Sequence, residues 1–396
     1  MATSHAFDLD ATPVGTPGLP VPTDQAFQAA RWAELIGPQA IEEIRALSPL
    51  PHTNAGWIGA YLHLARGARA AGREFDAVVY ERAAQFFMPG DDPRRLPIRE
   101  RFVEFMRQRF ELSPARVRCG GAVLPAYDLP ARGLGAGEEA RSTWVVFGGF
   151  DSYIEEWFPL LAAVAGRGHR VVAFDGPGQG GVLEEQGVPL TTEWERPVSA
   201  VLAHFKLDDV TLVGLSLGGE LVIRAAAFEP RARRVVAWDV MDDFLDVAVR
   251  QVVPVPARIG RAYSRLPAPL IDLTLAIARR RDLVRWGIDQ GMRVTGTSRP
   301  ADFLRLAAHL NTRSVSGRVL GDVLLLAGEH DHYVPRPQLG RQARTLTGAR
   351  SVTTRVFTEA EGCAWHCQVG NLGLALRTIL AWEEPLLPRG RGGRAA

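Results

Sequence analysis

VTLVGLSLGGELVIRAAAF, residues 210–228, decides how this chain is read. Val210, Leu212 and Val213 form a short β-branched and aliphatic run of the kind that fills a buried parallel strand. The run breaks at Gly214-Leu215-Ser216-Leu217-Gly218-Gly219, and the residues beyond read as a helix with Leu221, Val222 and Ala225 on one side. A strand, a tight turn with serine at its apex and a helix make a nucleophile elbow of the G-x-S-x-G kind. Such a turn strains the serine backbone, and Gly214 and Gly218 let neighbouring segments pass without a Cβ clash. Ser216 Oγ is expected at the open end of a sheet, with the Leu217 N–H pointing where an oxyanion would form. A glycine-rich turn whose serine only caps the helix has the same local pattern. The flanking segments weigh against that bland reading.

Upstream, Val117 to Tyr127 suggests a hairpin from about Ala115, ending in the loop Arg132–Arg141. Thr143–Phe147 and Arg170–Phe174 read as buried strands, separated by a helix over Tyr153–Ala165. A helix around Glu193–Phe205 precedes the elbow strand, and Arg234–Trp238 follows the elbow helix as the next strand. Asp322–Ala327 and Ser351–Phe357 resume the series before a terminal helix from about Cys367 to Trp382. Strands alternating with helices at this spacing predict an α/β fold with a doubly wound, mostly parallel sheet.

A serine at neutral pH needs a base, and the base needs an orienting acid. In this architecture both arrive after the serine, on loops at the carboxyl ends of later strands. Gly328-Glu-His-Asp331 follows one strand and Thr358-Glu-Ala-Glu-Gly-Cys-Ala-Trp-His366 follows the next, which assigns Asp331 as acid and His366 as base. Asp239, Asp242 and Asp243 follow the strand after the elbow and are alternative acids. The second half of an oxyanion hole is expected from Gly148-Gly149-Phe150, with the Phe150 N–H first and Gly149 next. His330 and His332 flank Asp331 without a third spaced ligand, and Cys363 and Cys367 bracket His366 without a C-x-x-C pair, so no metal is expected. The turn Asp175–Gly180 lacks the G-K-[ST] ending of a phosphate loop, and no cofactor is expected.

The 396 residues divide into a flexible tail over 1–23, a helical segment over 24–114, a core over 115–239, an inserted helical cap over 240–318, the rest of the core over 319–386 and a frayed end over 387–396. The helical segment places Phe27, Trp32, Leu35 and Ile36 on one helix with Asp24 as N-cap. Trp57, Tyr61 and Leu64 line a second, and further aromatics reach Phe110. The cap carries paired prolines at 254, 256, 267 and 269. Lys+Arg of 46 against Asp+Glu of 44 gives +2, too balanced to argue for nucleic acid or a membrane surface. Three cysteines (Cys119, Cys363, Cys367) do not make a disulfide framework. With neither a signal peptide nor a run of about 18 apolar residues, a cytoplasmic protein acting on a small molecule is expected.

The motifs G-G-F-D-S-Y-I-E-E (148–156), F-D-G-P-G-Q-G (174–180), G-L-S-L-G-G (214–219), G-E-H-D (328–331) and E-G-C-A-W-H-C-Q-V-G-N (361–371) resemble those of the α/β-hydrolase superfamily. Within it they are similar to the group of FrsA-type esterases, 2,6-dihydroxypseudooxynicotine hydrolase and fungal pigment enzymes that shorten polyketide chains. The resemblance implies Ser216, Asp331 and His366 as a triad, N-terminal helices that help to form the pocket and a homodimer, and cleavage of a C–C bond beside a carbonyl. It also implies an auxiliary carboxylate near the serine, for which Asp243 or Asp239 is the nearest match. The leading expectation is a serine hydrolase acting on a β-dicarbonyl or aryl-ketone substrate. The others are a carboxylesterase, thioesterase or lactonase with the same triad, a non-hydrolytic lyase, dehydratase or cyclase, and a binding or regulatory protein on the same scaffold.

Overall fold

The computed structural model describes residues 6–11, 13–15, 18–47, 52–135, 137–253 and 255–387. Five helices come first: α1 Thr23–Ile36, α2 Gln39–Arg45, α3 Asn54–Ala70, α4 Glu74–Phe86 and α5 Arg95–Phe110. The hairpin β1 Ala115–Cys119 and β2 Ala122–Leu129 leads into β3 Thr143–Phe147, α6 Phe158–Ala165, β4 Arg170–Phe174, α7 Gly180–Glu184 and α8 Glu195–His204. Then come β5 Val210–Leu215, α9 Gly218–Ala226 and β6 Ala232–Trp238. Between β6 and the next strand lie α10 Phe244–Arg250, α11 Ala257–Tyr263, α12 Ala268–Ala278, α13 Asp282–Thr295 and α14 Pro300–Ala307. The chain closes with β7 Asp322–Gly328, α15 Pro337–Thr345, β8 Ser351–Phe357 and α16 Leu372–Glu383.

The strands form one eight-stranded sheet in the order β1-β2-β4-β3-β5-β6-β7-β8. β1 and β2 pair antiparallel, as do β2 and β4, and every later pair is parallel. Phe147 pairs with Phe174 and Gly214, and Leu215 with Trp238, so the carboxyl ends of β3 to β6 finish level. The loops that carry chemistry in such sheets open at that edge. The period of two divides the core cleanly. Trp144 and Val146 face the side packed by the N-terminal helices, α6 and α16. Val145 and Phe147 face the side packed by α8, α9 and the helices between β6 and β7.

The N-terminal helices are held to the sheet by buried charge. Arg31 on α1 and Arg82 on α4 bond the two carboxylate oxygens of Glu156 at 2.7 and 2.9 Å, and Glu156 is almost fully buried. Arg31 also reaches Asp151 at 3.3 Å, and Arg82 donates to the Asp151 carbonyl at 2.9 Å. On α5, Arg95 and Arg99 pair with Glu184 of α7 and with Glu185 just after it. Asp151 and Glu156 of the 148–156 motif are therefore receivers for guanidinium groups more than fifty residues upstream. Glu34 of α1 accepts the backbone N–H groups of Gly370 and Leu372, which secures the loop before α16. Burial pushes its carboxyl up to about 7 against those donors.

Four expectations need correction. The segment read as a flexible tail packs onto the body over its described residues: Leu9 and Leu19 are buried, and the Phe7 and Gly15 N–H groups bond the Pro159 and Gly370 carbonyls at 2.8 Å. Single aliphatic anchors on an extended chain leave no periodicity to detect. Residues 1–5, 12, 16, 17 and 388–396, together with Pro254, lie outside the described residues. α1 begins at Thr23, one residue before the expected cap Asp24, which sits in its first turn. The helix expected over 153–165 opens as a 3₁₀ turn over Ile154–Trp157. The terminal helix starts at Leu372 because Cys367 and Gln368 take φ of +51° and +58°.

Replacing Glu156 by Ala leaves two buried guanidinium groups short of a counter-charge. The variant is expected to lose about 3–5 kcal/mol of stability, measured by urea denaturation. An unchanged midpoint would show that Arg31 and Arg82 reach water in the folded state.

Candidate active site

Ser216 sits at the end of β5 with φ +60°, in the left-handed region that only a crowded turn imposes on a side chain of this kind. The crowding is explicit. A Cβ on Gly214 would stand 2.0 Å from the Gly218 carbonyl oxygen, and one on Gly219 would stand 1.8 Å from that of Asp239. Glycine is the only residue these two approaches admit. The Ser216 N–H bonds the Trp238 carbonyl at 2.8 Å, which ties the apex of the turn to the end of β6.

The expected partners meet there. His366 Nε2 lies 2.8 Å from Ser216 Oγ, and His366 Nδ1 lies 2.8 Å from Asp331 Oδ2. The other oxygen of Asp331 accepts the N–H groups of Tyr333 and Val334 at 2.8 and 2.9 Å, which fixes the carboxylate in its turn. The 361–371 motif supports the ring from below. Trp238 Nε1 donates to the Cys367 carbonyl at 3.1 Å, and Asn371 caps α16 while its amide holds the Glu361 carbonyl at 2.8 Å.

Of the two auxiliary candidates, only Asp239 is brought to this chain of bonds. It is fully buried, with Oδ2 at 3.6 Å from His366 Nδ1 and 3.2 Å from the Cys367 nitrogen, and Oδ1 accepts the Val240 N–H at 2.8 Å. Asp243 lies elsewhere: it receives Arg261 at 2.7 Å and Arg313 at 2.6 Å, fastening α11 and the segment after α14 to the start of α10. Asp242 is engaged by Arg341 at 2.8 Å.

Burial, and then the charge on Asp331, drives the Asp239 carboxyl well above the carboxylate range, so it is the protonated member of the pair. Burial would raise Asp331 as well, but the charge and hydrogen bond of His366, with a hydrogen bond from Asp239, outweigh it and hold Asp331 below its ordinary range. For His366, burial favours the neutral ring and the Asp331 charge favours the imidazolium; the charge wins, and the pKa stands well above 6.5. The ligand atoms of Asp239, Asp331 and His366 lie within 4.8 Å of one another, close enough for a metal ion, but binding one would break the bond that orients the ring.

The two flanking histidines differ. His330 is exposed beside Glu359. His332 is half-buried against Phe27 and Tyr333, and desolvation pushes its pKa down to about 4, so the ring is neutral.

The N–H groups of Gly149, Phe150 and Leu217 bond no acceptor among the described residues. The loop after β3 presses on the elbow closely enough that a Cβ on Gly149 would stand 2.8 Å from the Leu217 nitrogen. Gln179 braces this loop from beneath: its amide donates to the Gly148 and Gly149 carbonyls at 2.7 and 3.1 Å, while its Oε1 accepts the Gly176 N–H at 3.0 Å. That is the task of the D-G-P-G-Q-G turn, one of the motifs that carry the family resemblance, to which the sequence assigns no role of its own. A buried amide next to two glycines at a strand end was the available signal.

A cavity of about 530 Å³ extends from Ser216 and His366 beneath α10 to α14. Its wall is mostly apolar, with Phe150, Met241, Phe244, Trp286 and Phe303 prominent and Cys367 contributing. Phe27 of α1 closes it near His366, the two rings 6.2 Å apart. Trp286 of α13 stacks on Phe86 at 4.7 Å and donates to its carbonyl at 2.8 Å, so the roof is shared between the N-terminal helices and the helices after β6.

The Alpha/beta hydrolase family model matches residues 133–367. The chain is 31% identical over 280 residues to hydrolase acrC of Aspergillus aculeatus, across 63% of this chain and 65% of that protein. It is 31% identical over 163 residues to the 2,6-dihydropseudooxynicotine hydrolase of Paenarthrobacter nicotinovorans, across 38% of this chain and 43% of that protein. The chain thus spans less than two thirds of the length of these relatives. The crystal structure of 2,6-dihydroxy-pseudo-oxynicotine hydrolase shares the fold with a TM-score of 0.58 at 22% identity, across 84% of this chain and 88% of that one. With its sheet order, its strained elbow and a family match over more than half its length, this chain belongs to the α/β-hydrolase family.

Proposed function

We propose that this protein is a serine hydrolase that cleaves a C–C bond beside a carbonyl in an apolar β-dicarbonyl or aryl-ketone substrate. The observation that carries the reading is the unbroken line of hydrogen bonds from Ser216 through His366 to Asp331, facing an apolar cavity. Ser216 Oγ adds to the substrate carbonyl while His366 Nε2 takes the hydroxyl proton. The oxygen charge that develops is received by the Leu217 and Phe150 N–H groups, with Gly149 behind them. Collapse of the tetrahedral adduct breaks the C–C bond, and the imidazolium returns its proton to the departing carbon. Water, activated by His366, then releases the acyl group as a carboxylic acid.

Two features favour this order of events. The Asp331 charge stabilises the imidazolium, so a proton is held ready for the leaving carbon. An apolar cavity offers little to stabilise a localised carbanion, so the leaving fragment must delocalise its own charge, as an enolate or phenolate-type anion does. The resemblance to C–C-cleaving members of the family supports the same substrate class.

A fluorophosphonate probe followed by peptide mapping is expected to modify Ser216, and to lose that modification in His366→Ala. Rates on matched analogues then separate the bond types, with the β-diketone cleaved faster than the ester and one oxygen of the acid product derived from water. An ester reacting much faster would return the reading to a carboxylesterase.

The pH profile tests the acid. Attack needs neutral His366, so kcat/KM is expected to rise with pH through a midpoint above 6.5. Asp331→Asn removes the charge that raises this midpoint; it should move the midpoint down and lower kcat/KM by roughly 10³–10⁴-fold. Asp239→Asn replaces a neutral group with a neutral group, and should leave the midpoint in place and the rate within about tenfold. The reverse pattern would make Asp239 the acid.

A further inference from the structure

The nearly balanced total charge led the sequence reading to expect no membrane partner, but the charge is unevenly placed. Of the nine large apolar side chains exposed among the described residues, six are Val253, Ile259, Leu266, Leu270, Leu273 and Ile277, all on or beside α11 and α12. Leu270, Leu273 and Ile277 follow one another at helical spacing along α12, with Leu273 62% and Ile277 57% exposed. Ile271 and Leu275 of the same helix point into the core, so α12 is apolar on both sides and only one side is covered. Single exposed leucines need no explanation; a clustered patch does.

The patch is the outer wall of the candidate site. Val253, Ile259 and Ile277 line the cavity that reaches Ser216 while also meeting solvent. Tyr263 of α11 bonds Thr274 of α12, which joins the two helices at this wall.

Around it the charge is predominantly positive. Residues 253–285 hold seven arginines and two acids. Both acids are engaged, Asp272 by Arg299 at 2.6 Å and Asp282 by Arg285 at 3.7 Å. Arg261 and Arg279 pair with Asp243 and Asp289, and Arg281 donates to the Gln251 carbonyl. Arg258, Arg265 and Arg280 are exposed and make no ion pair among the described residues.

We propose that this face docks on an anionic lipid surface, with the α12 stripe at the acyl boundary and Arg258, Arg265 and Arg280 at headgroup phosphates. An exposed aliphatic stripe on α12, flanked by arginines on α11 and on the segments just beyond α11 and α12, offers the apolar and cationic contacts that hold a protein at such an interface. No helix among the described residues is long and apolar enough to cross a membrane, so the contact is peripheral. A second copy of the chain suits the face poorly, because a twofold contact would set these arginines against their own copies with no free acid between them. The exposed stripe carries no Tyr or Trp, the residues that dominate the cores of protein interfaces. The proposal rests on the hydrolase reading only for its consequence, that an apolar substrate dissolved in lipid passes to Ser216 along an apolar wall. Docking itself is measured without turnover.

The test is flotation of the full chain with phosphatidylcholine vesicles, with and without phosphatidylglycerol. Binding is expected to the anionic vesicles and to weaken as salt is raised. L270E/L273E should abolish it, and neutralising Arg258, Arg265 and Arg280 to Gln should lower partition about a hundredfold. All five residues are exposed, and circular dichroism verifies the fold of each variant. The proposal is overturned by no binding to anionic vesicles, or by binding that neither variant weakens. Sedimentation equilibrium showing a dimer that L270E/L273E dissociates would assign the face to a second copy. Binding to soluble polyglutamate as tight as to vesicles would assign it to an acidic protein. Either result also overturns the proposal.

Discussion

The buried carboxylate of Glu156 is the point on which the rest of the molecule turns. Its two oxygens receive one guanidinium from α1 and one from α4, and Oε1 also accepts the Tyr153 N–H of its own turn at 2.9 Å. One side chain therefore joins two N-terminal helices to the segment that continues directly from the Gly148–Phe150 loop. Phe27 lies one helical turn before Arg31 on the same face of α1, so the position of Arg31 sets that of the aromatic wall beside His366. A buried ion pair is a poor source of net stability, because desolvation offsets most of the attraction. Its consequence here is registry: the helices can dock in the arrangement that satisfies Glu156 and in few others.

The same reasoning governs the carboxyl pair at the site. Two buried acids this close cannot both be ionised, since each charge raises the cost of the other. The imidazole decides between them, lying 2.8 Å from Asp331 but 3.6 Å from Asp239. Asp331 carries the charge, and Asp239 keeps its proton and shares it. The pair titrates as a unit with His366, and the proton that His366 would deliver in the proposed reaction is held by a field set largely by Asp331.

Much of this was legible in the sequence. Ser216, Asp331 and His366 each follow a β-branched or aliphatic run, and parallel strands that end level bring such positions together. Asp239 and Asp243 could not be separated, because four residues in a loop after β6 decide which carboxyl turns toward the histidine and which toward Arg261 and Arg313. Nothing in the helical pattern of residues 24–114 marks Arg31, Arg82, Arg95 and Arg99 as internal. What makes them internal is a set of acids at Asp151, Glu156, Glu184 and Glu185, and no local pattern links residues so far apart. Gln179 was missed for a related reason: its acceptors are carbonyls on a neighbouring strand's loop, and the only mark it leaves in the sequence is an amide set between two glycines after a strand.

These features bear jointly on how a charge could be tolerated in an apolar cavity. Among the described residues Arg31 is the one cationic side chain on the wall apart from the His366 ring, and it is already paired with Glu156 and Asp151. An oxyanion formed at Ser216 would thus find no loose cation, and its stabilisation would fall to the fixed dipoles of the Leu217 and Phe150 amides. Fixed dipoles are effective only when they need not reorganise, and in a medium of low polarity the penalty for misalignment is large. The loop that carries Phe150 has glycines at both preceding positions, so by itself it is the least constrained segment near the serine. Gln179 grips its carbonyls, and Gln290 of α13 holds the Phe150 carbonyl at 3.2 Å from the other side. Rigidity is supplied by side chains because the close approach to Leu217 requires glycine, and glycine cannot supply it.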